Sequence, residues 1–237
     1  MKGVVAVRLR QLADKLAIRG KLVWKAVRWP LFVLIAGFLS GRAVMIGGLA
    51  PFAPAFFGVI LYFRREWAVW AALALAAGSF WSVEPAPFVI CAELVIIYLF
   101  YRALETYARV ELAHAPVVAF FAVLLVRLFD TVTNDPNAWL PYALAGLEAG
   151  LALVLTLLVV NSLPPLLQGR RKRRMLHEEW VGVVILVASL VTGLTGWTVL
   201  GADLALMAAQ YAVLLFALTG GPALGTAAGV VAGTVLA

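Results

Sequence analysis

The sequence is poor in the residues from which soluble chemistry is built. Of its 237 positions only 13% are charged, two are histidine and one is cysteine. A soluble domain is about 25% charged and about 45–50% apolar, whereas 64% of this chain is hydrophobic. So little charge excludes a water-solvated globule, and so much apolar side chain excludes disorder. The lone Cys91 has no partner in the chain, which excludes a disulfide scaffold. His114 and His177 sit in predicted loops away from Cys91, so no metal-ligand spacing exists. There is no phosphate-binding loop, dinucleotide fingerprint or nucleophile elbow. No catalytic residue, cofactor site or metal site is therefore expected in these residues.

What the sequence does have is long apolar runs, continuous rather than alternating, which points to helices and not to a membrane barrel. The expected fold class is all-α, a polytopic transmembrane helical bundle. The 19 Lys and Arg outnumber the 12 acids for a net charge of +7, and they are clustered. Eight precede Pro30 (Lys2, Arg8, Arg10, Lys15, Arg19, Lys21, Lys25 and Arg28), against the single acid Asp14. Five more form the run Arg170-Arg-Lys-Arg-Arg174. Both clusters flank apolar spans, so anionic lipid headgroups and a cytoplasmic location account for them. Nucleic acid is not an expected partner, because no stacking aromatics or recognition motif accompany the basic residues.

Two regions follow from this pattern. Residues 1–28 form a basic cytoplasmic segment, too long and without the cleavage site of a signal peptide. Val4, Val5, Val7, Leu9, Leu12, Leu16, Ile18, Leu22 and Val23 interleave with its basic residues at near-helical spacing. That pattern fits an amphipathic helix on the inner leaflet, or a basic tail that only sets topology. Residues 29–237 form a multi-spanning membrane domain. Pro30 to Phe63 is short for two crossings, broken by Gly47-Gly48-Leu-Ala-Pro51, and reads as a tight hairpin in preference to a re-entrant segment. Trp67–Val83, Phe88–Tyr101, Ala115–Phe129, Trp139–Leu167, Glu178–Leu200 and Leu204–Thr219 follow as crossings. With the N-terminus cytoplasmic, the basic loops at 64–66, 102–114 and 170–174 fall on one side. The turns at 84–87, 130–137 and 201–203 fall on the other. Eight full crossings result. A further apolar segment after Gly220-Gly221-Pro222 runs to Ala237, and reads as a ninth span cut short. Gly225, Gly229 and Gly233 within it form a small-residue ladder, for internal packing or for a homo-oligomer contact.

Four ionisable residues lie within predicted spans: Arg42, Glu93, Arg127 and Glu148. A charge in hydrocarbon costs at least about 2.5–3.5 kcal/mol unless paired or hydrated. The four balance in sign, which favours structural ion pairs, with Arg127 snorkelling towards the outer face. The competing reading is a secondary transporter using Arg42, Glu93 and Glu148, although no internal repeat supports it.

Several strings resemble one family. Gly37-Phe-Leu-Ser-Gly-Arg-Ala43, then Pro51-Phe52 and Ala55-Phe-Phe-Gly58, are similar to the start of the membrane region of the stage II sporulation protein E family. So are Glu148-Ala-Gly-Leu-Ala-Leu-Val-Leu-Thr-Leu157 with Asn161-Ser-Leu-Pro164, and Glu178-Glu179 with Ile185-Leu-Val-Ala-Ser189 and Thr192-Gly-Leu-Thr-Gly196. Gly220-Gly221 with the glycine ladder is the fourth string, and all four are in register from about residue 30 onward. The resemblance implies about ten membrane spans, a central oligomerising region, and a C-terminal serine/threonine phosphatase domain using manganese or magnesium. It implies action at the asymmetric septum of an endospore-forming bacterium, on an anti-anti-sigma factor whose dephosphorylation activates the forespore sigma factor. It also implies division-ring and septal proteins as partners. No position here matches the phosphatase metal site, so this chain is expected to be the anchor and localisation module alone. A free-standing membrane scaffold is the further alternative.

Overall fold

The computed structural model describes residues 29–45, 48–82, 87–107, 111–134, 137–168 and 177–236. The basic segment at 1–28 and the run Arg170–Arg174 lie outside them. Nine α-helices occur among the described residues: α1 (Trp29–Arg42), α2 (Phe52–Phe63), α3 (Arg65–Phe80), α4 (Pro87–Tyr107), α5 (Ala115–Asn134), α6 (Trp139–Gln168), α7 (His177–Thr192), α8 (Leu204–Gly220) and α9 (Pro222–Leu236). By length and composition, Pro87–Tyr107, Leu112–Asn134 and Trp139–Leu163 are long and apolar enough to cross a membrane. The apolar helices Trp29–Arg42, Phe52–Phe63, Glu179–Thr192, Leu204–Gly220 and Pro222–Gly233 are shorter. The outward faces of the long helices are apolar, with Val95 and Leu99, Phe121 and Leu125, and Leu147 and Val154 exposed. Such faces suit lipid and not water.

The centre of the bundle is α2. A helix that is apolar all round is a buried helix, and every residue from Phe52 to Leu61 is buried. It packs against α3, α4, α5 and α6. Ala50 meets Glu148 and Gly58 approaches Thr156, so α2 and α6 run in step and in the same direction. At 1.5 Å per residue, α1 and α2 are about 21 and about 18 Å long. Neither reaches across a hydrocarbon core of about 30 Å. The predicted hairpin over Pro30–Phe63 is therefore two short helices, joined by a turn in which Gly48 has a positive φ of 78°.

Close approach holds α1 in place. Gly37 faces Ala74, while Gly41 and Gly78 each lie against the other helix's backbone, at Leu75 and Phe38. The partners rise together along the two chains, from Gly37 with Ala71 and Ala74 to Arg42 with Gly78, so α1 and α3 are parallel neighbours. On its other side α1 meets Gly193, directly after α7, at the Leu39 backbone.

The predicted crossing over Glu178–Leu200 is shortened. Its helix ends at Thr192, and residues 193–196 form turns. A two-stranded hairpin follows, β1 (Thr198–Val199) with β2 (Ala202–Asp203). Leu200 and Gly201 both have positive φ, which is the backbone a two-residue hairpin requires. Asp203 then caps α8 by accepting the amides of Ala205 and Leu206. At the opposite end of the bundle the expected 64–66 loop shrinks to Arg64, since α3 starts at Arg65. Arg64 pairs with Glu66 at 2.9 Å, and Glu105 takes Arg65 at 2.6 Å and Arg102 at 2.9 Å. The charges of two predicted loops thus meet at one end.

Candidate functional site

Three of the four intramembrane charges come together and the fourth stands apart. Glu93 sits two turns into α4, Arg127 two turns before the end of α5, and Glu148 nearly three turns into α6. At 1.5 Å per residue they lie about 9, 11 and 14 Å from the same end of the bundle. Short connections make α5 the antiparallel neighbour of both α4 and α6, so the three groups lie at similar depth. Arg127 donates through Nε to Glu93 Oε1 at 3.1 Å and through Nη2 to Glu148 Oε1 at 2.5 Å. It bridges two carboxylates and does not snorkel to the outer face; its side chain is only 12% exposed.

Glu148 has a second duty. Its Oε1 accepts the backbone N–H of Ala50 at 2.8 Å. Ala50 precedes Pro51, the N-cap of α2. Helix N-termini carry unsatisfied N–H groups and a partial positive charge of about half a unit, so a carboxylate there is favoured. A non-helical segment at this depth is tolerated only where protein encloses it and serves its polar groups. Ala43 and Ala50 are fully buried, and Glu148 provides one such acceptor. The cluster therefore ties α4, α5 and α6 together and fixes where α2 begins.

Arg42 joins a different contact. Its guanidinium donates to the Gly193 carbonyl at 3.3 Å and to the Thr195 carbonyl at 2.8 Å. It also lies 4.6 Å from the centroid of the Trp197 ring. These are carbonyls just past the end of α7, where a cation is favoured. Arg42 thus clamps the end of α1 to the end of α7.

Ala50 and Trp197 carry no signal in sequence as site residues. The Gly47–Pro51 turn marks a chain reversal, but an amide that will meet a carboxylate 98 residues away cannot be read from it. Among the described residues, no group of three or more His, Cys, Asp and Glu side chains is placed to hold a metal ion. The glycine ladder is partly used: Gly225 packs on Ala217 of α8, Gly229 lies near Val213, and Gly233 faces open space.

A bundle of apolar helices with lipid-suited faces and an enclosed ion cluster defines a helical membrane domain. The chain belongs to the family described as SpoIIE, N-terminal domain, which it matches over residues 5–237. It is similar to stage II sporulation protein E of Bacillus subtilis (strain 168), with 34% identity over 204 residues. That match covers 86% of this chain and 25% of the relative, so the chain spans about a quarter of the relative's length. No solved structure matches. The chain is thus a sporulation-associated membrane region.

Proposed function

We propose that this chain is the membrane anchor and localisation region of a larger sporulation phosphatase. The observation that carries this reading is the family match, which runs through all the apolar helices from residue 5 to residue 237. The arrangement is eight passes with a cytoplasmic N-terminus, the first two made by the short helices α1 and α2, with α9 following them. The meeting of Arg65 with Glu105 supports it, because both belong to loops assigned to the cytoplasm. The bilayer is the principal partner, with anionic headgroups at residues 1–28 and 170–174. Division-ring and septal proteins, and a second copy of the chain, are the protein partners. Catalysis lies outside these residues, in a manganese- or magnesium-dependent phosphatase domain acting on an anti-anti-sigma factor. Arg42, Glu93, Arg127 and Glu148 serve folding and assembly here, not turnover.

The test is a replacement. A fluorescent fusion of the full-length protein is followed through asymmetric division, with this region intact or exchanged for an unrelated multi-spanning anchor. Septal enrichment is expected only with the native region. Equal enrichment with the unrelated anchor overturns a localising role.

One observation favours a second reading as a secondary transporter: α2 is short and presents its N-terminus to a buried charge cluster, as broken transporter helices do. Proton or sodium flux in proteoliposomes, abolished by Glu148→Gln, would establish it.

A further inference from the structure

We propose that Glu93, Arg127 and Glu148 form a one-proton site within the membrane bundle, with the proton carried on Glu93 Oε2. The inference is independent of the sporulation reading and rests on the cluster's geometry. Two carboxylates share one guanidinium, so the three groups carry an excess of one negative charge if all are ionised. Buried charge is tolerated when each group is paired and hydrogen-bonded, and the two carboxylates differ sharply in this respect.

Glu148 is served as an anion. Arg127 Nη2 and the Ala50 amide both donate to its Oε1, and the N-terminal end of α2 adds its partial positive charge. Glu93 is not served that way. It is fully buried, its Oε1 receives only Arg127 Nε at 3.1 Å, and its Oε2 has no hydrogen-bond partner among the described residues. Its helical neighbours Ile90, Leu94 and Ile97 are buried and apolar. A bare anionic oxygen in such surroundings is the costliest arrangement available, and protonating that oxygen removes both the stray charge and the unserved lone pair. Oε1 still accepts from Arg127 Nε when the group is a neutral acid.

The surrounding elements bring no other counter-charge. In α5, Arg127 is followed one turn later by Asp130, a further acid, which accepts from Asn134 Nδ2 at 2.9 Å. In α6 the facing group is Glu148. Helix α2 carries no charged residue, and its Tyr62 packs against Tyr101 at the far end. Helix α3 places Arg65 and Glu66 at that same far end, and on α4 itself the neighbour is Cys91. The reaction is simple ionisation: the Glu93 O–H bond breaks, its electron pair stays on Oε2, and the proton passes to the aqueous phase. Once ionised, Glu93 competes with Glu148 for Arg127, so the grip on the start of α2 depends on this proton.

The test uses the whole chain in lipid nanodiscs. Infrared spectroscopy reads the carbonyl stretch of a protonated carboxyl group, which shifts in heavy water. The wild type is expected to show this band at neutral pH, and Glu93→Gln to lose it. Glu148→Gln is also expected to lose it, because Glu93 then becomes the sole counter-ion of Arg127. Stability separates the two variants. Glu93→Gln mimics the neutral acid, so it keeps the wild-type melting temperature and removes the cluster's pH dependence. Glu148→Gln lowers the melting temperature. The native wild type binds a proton that its unfolded chain releases, so its unfolding constant rises up to tenfold per pH unit above the ordinary glutamate range. Absence of the band in the wild type at neutral pH overturns the proposal, and this readout needs no variant. A melting temperature for Glu93→Gln as low as that of Glu148→Gln also overturns it.

Discussion

Gly41 of α1 and Gly78 of α3 are reciprocal: each lies where the other helix brings its backbone closest, at Leu75 and Phe38 respectively. Hydrophobic burial does not drive helix association in lipid, so backbone proximity of this kind is what holds α1 to α3. A Cβ at either position would meet a carbonyl, which cannot rotate away as a side chain can.

Gly41→Ala and Gly78→Ala should therefore each destabilise the domain by about 1–3 kcal/mol, the usual cost of overpacking. Gly146, on the outer face of α6, has nothing within 4 Å. Gly146→Ala should be neutral or stabilising by up to about 1 kcal/mol through helix propensity. Thermal unfolding in nanodiscs compares the three, and equal effects would remove the packing argument.

Glu148 anchors both Arg127 and the start of α2, so its removal should be felt twice. Taking away one partner of a buried pair costs about 3–5 kcal/mol. Glu148→Ala should lower stability by that order and also release the Ala50 amide. Hydrogen exchange measured by mass spectrometry should then show faster exchange around residues 48–56. Unchanged protection there would mean that α2 does not depend on the carboxylate.

Arg42 makes a directional contact. Arg42→Ala should cost about 1.5–3 kcal/mol, the range for hydrogen bonds to a charged group. Arg42→Lys should recover only part of this, since an ammonium cannot reach two carbonyls and lie over Trp197 as a planar guanidinium does. A double-mutant cycle with Trp197→Ala should return a coupling of about 0.5–1 kcal/mol. Additive effects would mean that the ring contact contributes nothing.

Helix positions were legible because apolar runs, proline and glycine mark them directly. Pro87 and Pro222 open helices within a residue of the predicted starts, and the four charges inside apolar runs stand out against so little other charge. Which of them meet was not legible. Arg42 and Glu148 both lie in strongly patterned segments, yet Arg42 turns to the end of α7 and Glu148 to Arg127 and Ala50. Pairing depends on how α2 is inserted among α3 to α6, a three-dimensional fact with no local periodicity. The end of α7 falls short of the predicted crossing for a similar reason. Val191, Leu194 and Val199 continue the apolar run, but Gly193 must approach the α1 backbone and Leu200-Gly201 must turn.

The sidedness of the bundle follows from where its charges gather. Arg64, Arg65, Glu66, Arg102 and Glu105 form one exposed group at the end of the bundle where α2 meets α3 and α4 ends. Ala138, in a loop, and Ala202, in the β1–β2 hairpin, are both exposed at the opposite end. Cys91 is the only cysteine, so a Cys91→Ala background accepts single reporter cysteines. A membrane-impermeant thiol reagent on intact cells should label Ala138→Cys and Ala202→Cys. It should label Glu66→Cys and Glu105→Cys only after the membrane is opened, because arginine-rich short loops stay in the cytoplasm. The reverse pattern would invert the orientation. Labelling of Glu66→Cys and Glu105→Cys from opposite sides would break the crossing count itself, since Glu66 adjoins Arg65 in the chain and Arg65 reaches Glu105.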